Sequence, residues 1–182
     1  QIIVAIIGIE TFYGGYMGNY RVQDALYTLG FYYAPRATFF RSEYGNLMSL
    51  IKEEKLDNDT LKGSYAGAMG YGQFMPSSYR AYATRFEGEG APDIWDNPAD
   101  AISSVGNYLL EHGWHADEDV VVSATVNDPE PGLFEGGLKP THSVAQLVAR
   151  GVMPSQPINS DAMATPIGLE AQDGMAYWLG LE

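Results

Sequence analysis

The chain has 182 residues, a length that fits one domain or one domain with a small extension. Hydrophobic residues make up 46% of it, which excludes an intrinsically disordered chain, and no apolar run approaches the ~18 residues of a membrane-spanning helix. With 23 acidic and 10 basic residues the net charge is −13, which repels phosphate backbones and argues against nucleic acid as a partner.

The first part of the sequence carries mainly helical signals. The apolar residues 2 to 12 fit either a buried strand or a buried helix, because a continuous β-branched run has no distinguishing period. A second helix is predicted from about residue 21 to 29, and a third begins with Pro35 and continues to Ile51. Pro76, followed by two serines, predicts a further short helix with serine caps.

The clearest helical signal lies between Asn97 and Gly113. Asn97 is a good N-cap, Pro98 suits the first turn, and Gly113 follows the predicted end. The inward face of this helix is predicted to consist of Ile102, Val105 and Leu109.

The pattern changes near residue 117. "VVVSATV" predicts a strand, residues 128 to 140 form a loop rich in proline and glycine, and "HSVAQLVARG" predicts a short capped helix. Asp173-Gly174 between two apolar runs predicts a β-hairpin. We therefore predict a mainly α, α+β protein with a helical core at 1–116 and a small β-containing extension at 117–182. Both ends resemble interrupted elements, so we expect the natural chain to extend beyond them.

Glu10 is the first candidate for chemistry. It ends an apolar run that predicts burial, and aromatic residues and Gly14-Gly15 follow it. A carboxyl group without a positive partner in apolar surroundings keeps its proton, which makes it a proton donor near neutral pH. Close approach of backbone and aromatic faces also suits a sugar-binding cleft. The alternative is that Glu10 lies on the solvent-exposed edge of a buried helix and forms an ion pair with Arg21.

The second candidate is the glycine-rich stretch "GSYAGAMGYGQFMPSS", residues 63 to 78. It matches neither phosphate-binding loop pattern. Tight backbone packing explains the glycines equally well. Ser64 and Gln73 supply hydrogen-bonding groups among small and apolar neighbours, as recognition of acetamido or hydroxyl substituents requires.

Metal binding has weak support in the sequence. Residues 85 to 100 alternate acids and glycines like a calcium loop, but the first position is the cation Arg85 and the next acids are Glu87 and Glu89. A solvated turn is the preferred interpretation. The chain has no cysteine, and its three histidines (His112, His115 and His142) lack zinc spacing. No G-x-S-x-G elbow supports a serine triad.

Three segments together resemble the lytic murein transglycosylases of the B type. They are "IIGIETFYGG", "LKGSYAGAMGYGQFMPSSY" and "DAISSVGNYLLEHGW", and the similarity extends over nearly the whole chain. The resemblance implies a lysozyme-like helical fold. It also implies cleavage of the β-1,4 bond between N-acetylmuramic acid and N-acetylglucosamine with a 1,6-anhydro product.

The resemblance also implies roles for individual residues. Glu10 matches the single catalytic acid of the family, and Ser64, Gln73 and Tyr108 match substrate contacts. Arg36 falls where the family has an arginine that faces the glycan or its peptide. One acid is enough if it protonates the leaving oxygen and then takes the proton of the sugar's own C6 hydroxyl. Ordinary glycosidases need two carboxyl groups.

The resemblance leaves cofactor and location as expectations. The family's calcium loop begins with aspartate where this chain has Arg85, so we expect no metal. The implied location is the periplasm, with an outer-membrane lipid anchor on an N-terminal cysteine that this chain lacks. The implied partners are peptidoglycan glycan strands and cell-wall synthesis or remodelling proteins. Two alternatives remain open: a peptidoglycan-binding module without turnover, and a hydrolytic muramidase.

Overall fold

The structure, a computed structural model, describes residues 1–116 and 118–182, and these divide into two compact units, Gln1–Trp114 and His115–Glu182. The predicted boundary at residue 117 falls on a position outside the described residues. The helices are α1 (Ile2–Thr11), α2 (Val22–Tyr32), α3 (Ala37–Glu54), α4 (Pro76–Tyr82), α5 (Pro98–Glu111) and α6 (Val144–Ala149). The strands are β1 (Tyr20–Arg21), β2 (Lys62–Gly63), β3 (Val121–Val126), β4 (His142–Ser143), β5 (Val152–Pro154), β6 (Met163–Ala171) and β7 (Gly174–Leu181).

The first unit contains α1 to α5 around one apolar core. The apolar run at the N-terminus is a helix, which settles the strand-or-helix ambiguity. The third helix begins at Ala37, two residues after the predicted Pro35. The core of this unit is formed by residues from all five of these helices, among them Ile7, Leu26, Leu47, Tyr79 and Val105.

The short helix α4 is capped differently from the prediction. The N-cap residue of α4 is Met75, whose side chain makes no capping hydrogen bond, so the predicted serine cap is wrong. The carboxylate of Glu43, 4% exposed on α3, accepts the Ser77 backbone N–H at 2.9 Å and the Ser77 hydroxyl at 2.7 Å. A buried carboxylate therefore satisfies the first turn of α4 and joins it to α3.

Helix α5 forms as predicted around its cap. The Asn97 side chain accepts the backbone N–H groups of Ala99 and Asp100, and Pro98 occupies the first turn. Val105 is buried, but Ile102 is 46% exposed, so its predicted inward position is wrong. The polar residues Asp100 and Ser104 occupy the buried face instead, because they bond to backbone groups of residues 84 to 93.

The second unit is built on a five-stranded antiparallel sheet with strand order β4-β6-β7-β3-β5. The predicted strand, loop and capped helix are all present, and Ser143 and Gln146 form a complete capping box on α6. The predicted hairpin joins β6 to β7 with Ala171 opposite Gly174, so Gln172 and Asp173 form the turn. The chain is a mixed α+β protein; because of this sheet, a mainly α description is not confirmed.

Candidate functional site

Glu10 lies on exposed surface at the end of α1, so the predicted burial of this residue is wrong. The predicted alternative partner also lies elsewhere, because Arg21 pairs with Asp59 at 2.6 Å and with Asp24 at 3.5 Å. The apolar run misled the prediction because only one face of α1 packs into the core. Ile7 and Thr11 are buried, whereas Ile9 is 82% exposed.

The end of α1 is tied to the glycine-rich stretch. The buried hydroxyl of Thr11, the residue after Glu10, shares its one hydrogen between the backbone carbonyls of Ile7 at 3.1 Å and Tyr71 at 3.0 Å. The same oxygen accepts the N–H of Gly14 at 3.1 Å. One threonine therefore fixes the turn after Glu10 and holds it against the segment that contains Gln73.

A second link lies a few residues further along. The backbone at Gly18 has φ of 93°, and a Cβ atom there would overlap the carbonyl of Gly63 and the N–H of Ser64. Only glycine allows this close approach in this conformation. The loop after Glu10 therefore runs directly beside Ser64, the first candidate residue of the glycine-rich stretch.

Ser64 and Gln73 hold the glycine-rich stretch in shape. The Ser64 hydroxyl oxygen accepts the N–H groups of Ala66 at 3.3 Å and Ala68 at 3.1 Å. The Gln73 side-chain amide donates to the carbonyls of Gly70 at 3.0 Å and Met17 at 3.3 Å. A serine hydroxyl can still donate its hydrogen, and a glutamine side chain still carries an acceptor oxygen. Each side chain can thus organise the backbone and offer one group to a ligand.

Tyr108 is part of an aromatic cluster beside the same stretch. Its ring stacks on His112 with centroids 4.0 Å apart, meets Tyr82 edge-on at 5.2 Å and lies 6.0 Å from Phe74. Phe74 follows Gln73 directly. Tyr108 is half-buried, so the cluster orients the ring while part of it stays accessible.

Arg36 belongs to a different part of the first unit. It is exposed, has φ of 60° and directly precedes α3. Its guanidinium lies 4.4 Å from the Phe39 ring centroid and 5.5 Å from that of Phe40. The structure brings the segments of Glu10, Ser64, Gln73 and Tyr108 together, and among the residues it describes no corresponding hydrogen bond links them to Arg36.

The loop that follows Glu10 lines part of a groove of about 400 Å³, which the sequence did not predict. Its walls include Met17, Gly18 and Trp95, together with Asp57 and Asp96. The Trp95 ring nitrogen donates to the Lys62 carbonyl at 3.2 Å, which fixes the ring. The aromatic face and carboxylates suit a hydroxyl-rich ligand, but no pattern in the sequence links residues so far apart.

Within residues 1–116 and 118–182, no three or more histidine, cysteine or acidic side chains form a metal-binding group. None of the helices described for these residues is long and apolar enough to cross a membrane.

The whole sequence, residues 1–182, matches the family described as the Transglycosylase SLT domain. It is also 47% identical over 181 residues to the membrane-bound lytic murein transglycosylase B of Escherichia coli (strain K12). That alignment covers 100% of this chain and 49% of the relative, so the chain spans about half the length of the curated protein.

Several solved structures of lytic transglycosylases resemble this chain, among them the following three. The catenated lytic transglycosylase SltB1 from Pseudomonas aeruginosa has a TM-score of 0.92 and 48% identity, over 99% of this chain and 60% of that one. The Escherichia coli lytic transglycosylase Slt35 in complex with calcium has a TM-score of 0.88 and 45% identity, over 99% and 56%. SltB3 from Pseudomonas aeruginosa in complex with NAG-NAM-pentapeptide has a TM-score of 0.82 and 29% identity, over 99% and 49%.

Proposed function

The chain belongs to the Transglycosylase SLT domain family, and we propose that it carries the catalytic site of a lytic murein transglycosylase. The proposed reaction cleaves the β-1,4 bond between N-acetylmuramic acid and N-acetylglucosamine and forms 1,6-anhydro-N-acetylmuramic acid. The observation that carries the proposal is the Thr11 hydroxyl. It bonds to Tyr71 and so holds the end of α1, with Glu10, against the stretch that contains Ser64 and Gln73.

In the proposed reaction, Glu10 acts twice on the same sugar. Its carboxyl proton passes to the bridging oxygen, and the bond from that oxygen to C1 of the muramic acid breaks with its electron pair going to oxygen. The C6 hydroxyl oxygen then bonds to C1, and its proton returns to the Glu10 carboxylate. Glu10 is protonated again at the end of the reaction, as it was at the start, and no water is consumed. Because the attacking hydroxyl belongs to the same sugar, proximity lowers the barrier.

Because Glu10 is exposed in the free protein, we propose that the bound substrate is what shields this acid from water. Three exposed aromatic side chains follow the acid in sequence: Phe12, Tyr13 and Tyr16. A glycan lying on these rings would cover Glu10 and exclude bulk water from the acid during the proton transfer. In the complex the acid would then donate its proton to the substrate, although it is exposed to solvent in the free protein.

Ser64, Gln73 and Tyr108 are the proposed substrate contacts. The Ser64 hydroxyl hydrogen and the Gln73 side-chain oxygen can bond to acetamido or hydroxyl groups of the sugar. Tyr108 offers the exposed part of its ring or its hydroxyl. Arg36 carries a positive charge on a chain with net charge −13, and we propose that it attracts a carboxylate of the stem peptide.

We extend the proposal to the setting of the enzyme. The proposed first domain is a lysozyme-like catalytic core at 1–116, and residues 117–182 form the extension. The proposed substrate is the peptidoglycan strand, a class that fits the relative solved with NAG-NAM-pentapeptide. The proposed location is the periplasm, in an outer-membrane lipoprotein, with cell-wall remodelling proteins as partners.

Digestion of purified peptidoglycan sacculi tests the proposal, with mass analysis of the released fragments. We expect muropeptides that end in 1,6-anhydro-muramic acid, which are 18 Da lighter than hydrolysed ends by the mass of one water. Reducing ends would instead identify a hydrolytic muramidase. Binding to sacculi without release of fragments would identify a binding module. Either result would overturn the proposed reaction.

A further inference from the structure

Arg85 is the first residue of the loop segment 85 to 100, which ends in the first turn of α5. Its Nε donates to the Glu87 carbonyl at 2.9 Å, and its Nη1 donates to the Ala91 carbonyl at 2.7 Å. The same Nη1 lies 3.9 Å from a carboxylate oxygen of Asp100. The loop therefore wraps its own oxygen atoms around the guanidinium of its first residue.

One of these contacts coincides with a ligand position of a calcium loop. In such loops the first, third and fifth residues supply side-chain oxygens, the sixth is glycine for a sharp turn, and the seventh binds the cation through its carbonyl. Counted from Arg85, the sixth residue is Gly90, with φ of 107°, and the seventh is Ala91. The carbonyl that would bind calcium accepts a hydrogen bond from Arg85 instead.

The residues present do not fit a calcium ion. A guanidinium at the first position supplies no ligand oxygen and repels a divalent cation. Because Arg85 already donates to Ala91, a metal would have to displace this bond. The segment therefore lacks the set of oxygen ligands that a calcium loop supplies.

Asp100 is the buried acid that the Arg85 guanidinium faces. It is 0% exposed, and its carboxylate accepts the N–H groups of Phe86 at 3.0 Å and Asp93 at 2.9 Å. Burial by itself raises the pKa of Asp100, but these N–H groups and the charge of Arg85 outweigh it, so the pKa lies below its ordinary value. A buried carboxylate that stays charged is stabilised by hydrogen bonds and by a nearby positive charge, and Arg85 supplies that charge here.

The loop in turn supports the candidate site. The carbonyl of Ile94 accepts the N–H of Tyr71 at 3.0 Å, and the Tyr71 carbonyl accepts the hydroxyl of Thr11. The Tyr79 hydroxyl also donates to the Pro92 carbonyl at 2.5 Å. A displacement of residues 92 to 94 would therefore reach the segment beside Glu10 through two hydrogen bonds.

We infer that the guanidinium of Arg85 takes the place of the calcium ion in this loop, so that the loop is held in shape by a cation of the chain itself. Calcium and chelators then have no effect on its folding. The inference concerns loop stability and does not depend on the proposed reaction.

Thermal unfolding of the purified protein with EDTA and with excess calcium is the first test. We expect the two melting temperatures to agree within about 1 °C, because a ligand stabilises only the state that binds it. A clear rise in melting temperature with calcium would show that the loop binds the metal and would overturn the inference.

The Arg85→Ala and Arg85→Asp variants test the role of the side chain. Arg85→Ala should lower the melting temperature by roughly 4 to 8 °C and expose the backbone N–H of Asp93 and Phe86 to hydrogen exchange. In Arg85→Asp, which supplies a carboxylate at the first position, calcium should recover part of the loss. Arg21→Ala, which removes an exposed arginine from the same unit, is the control and should change little.

Two results would contradict the inference. Unchanged stability and exchange in Arg85→Ala would show that the guanidinium does not hold the loop. A calcium-insensitive Arg85→Asp variant would show that arginine and metal do not share one position.

Discussion

The polar side chains near Glu10 each combine a structural bond with a free group. Ser64 accepts two backbone N–H groups and keeps its hydroxyl hydrogen, and Gln73 donates to two carbonyls and keeps its side-chain oxygen. Their rotamers are therefore fixed before any ligand binds. If they contact the substrate as proposed, side chains that are already oriented lose little conformational entropy on binding.

Asp100 gives a pH-dependent prediction at the same scale. Its folded pKa is lowered, so its contribution to stability is complete above the unfolded value of about 3.9 and is lost as the pH falls through the folded value. Asp100→Asn should lower the urea midpoint at pH 7, and the difference from the wild type should narrow as the pH falls towards about 3.

Asp96→Asn is the control for this comparison, because it removes one negative charge from an exposed position in the same loop. The urea midpoints of the wild type and Asp100→Asn are compared from pH 7 to about 3. A difference between them that stays constant over this range would contradict a lowered pKa for Asp100.

At the scale of elements, hydrogen bonds between segments distant in sequence build the site. Helix α1 meets the glycine-rich stretch through Thr11 and Tyr71, and the loop after α1 meets it again at Gly18. The loop at 85 to 100 supports Tyr71 from the other side through Ile94. Local stability of any one of these segments therefore affects the position of the others.

Several sequence signals located in one segment were reliable, although the serine cap predicted for α4 was not. The cap of α5 at Asn97, the capping box of α6 and the β6–β7 hairpin follow local rules, and all three are present. The exposure of Glu10 and the cap of α4 by Glu43 depend on packing between segments. Glu43 and Ser77 are 34 residues apart, and no local pattern records such a pair.

Gly18→Ala tests the close approach of the two segments. The added methyl group would overlap the Gly63 carbonyl at a φ that alanine rarely adopts, so we expect a loss of ~2–4 kcal/mol in the free energy of unfolding. Gly45→Ala is the matched control. It lies in α3 with open space around its Cβ position and should gain up to ~1 kcal/mol. Equal effects of the two variants in urea unfolding would refute the close packing at Gly18.

At the scale of the whole molecule, each compact unit has its own apolar core. The first is built by helices, with Leu26 and Leu47 fully buried, and the second by the sheet and α6, with Leu147 and Leu179 fully buried. The sequence predicted the β-containing part but underestimated it, because short strands such as β4 and β5 carry no pattern of their own.

The net charge of −13 gives a prediction for substrate binding. Stem peptides end in carboxylates, so the negatively charged protein and its proposed substrate repel each other. Added salt screens this repulsion and shortens its range. In a pelleting assay, affinity for sacculi should stay constant or rise up to about two-fold between about 50 and 200 mM salt. A steep fall in affinity over this range would show that charge attraction dominates binding.

The central claim is that Glu10 alone moves the proton, and the Glu10→Gln variant tests it most directly. The rate at which purified protein releases muropeptides from sacculi is measured by mass analysis, alongside binding to sacculi and melting temperature. Glu111→Gln, the same change at an exposed helix end, is the control. The account predicts a loss of roughly 10³-fold or more in rate for Glu10→Gln, with binding and melting temperature unchanged. A Glu10→Gln variant that still releases anhydro-muropeptides at more than about a tenth of the wild-type rate would contradict it.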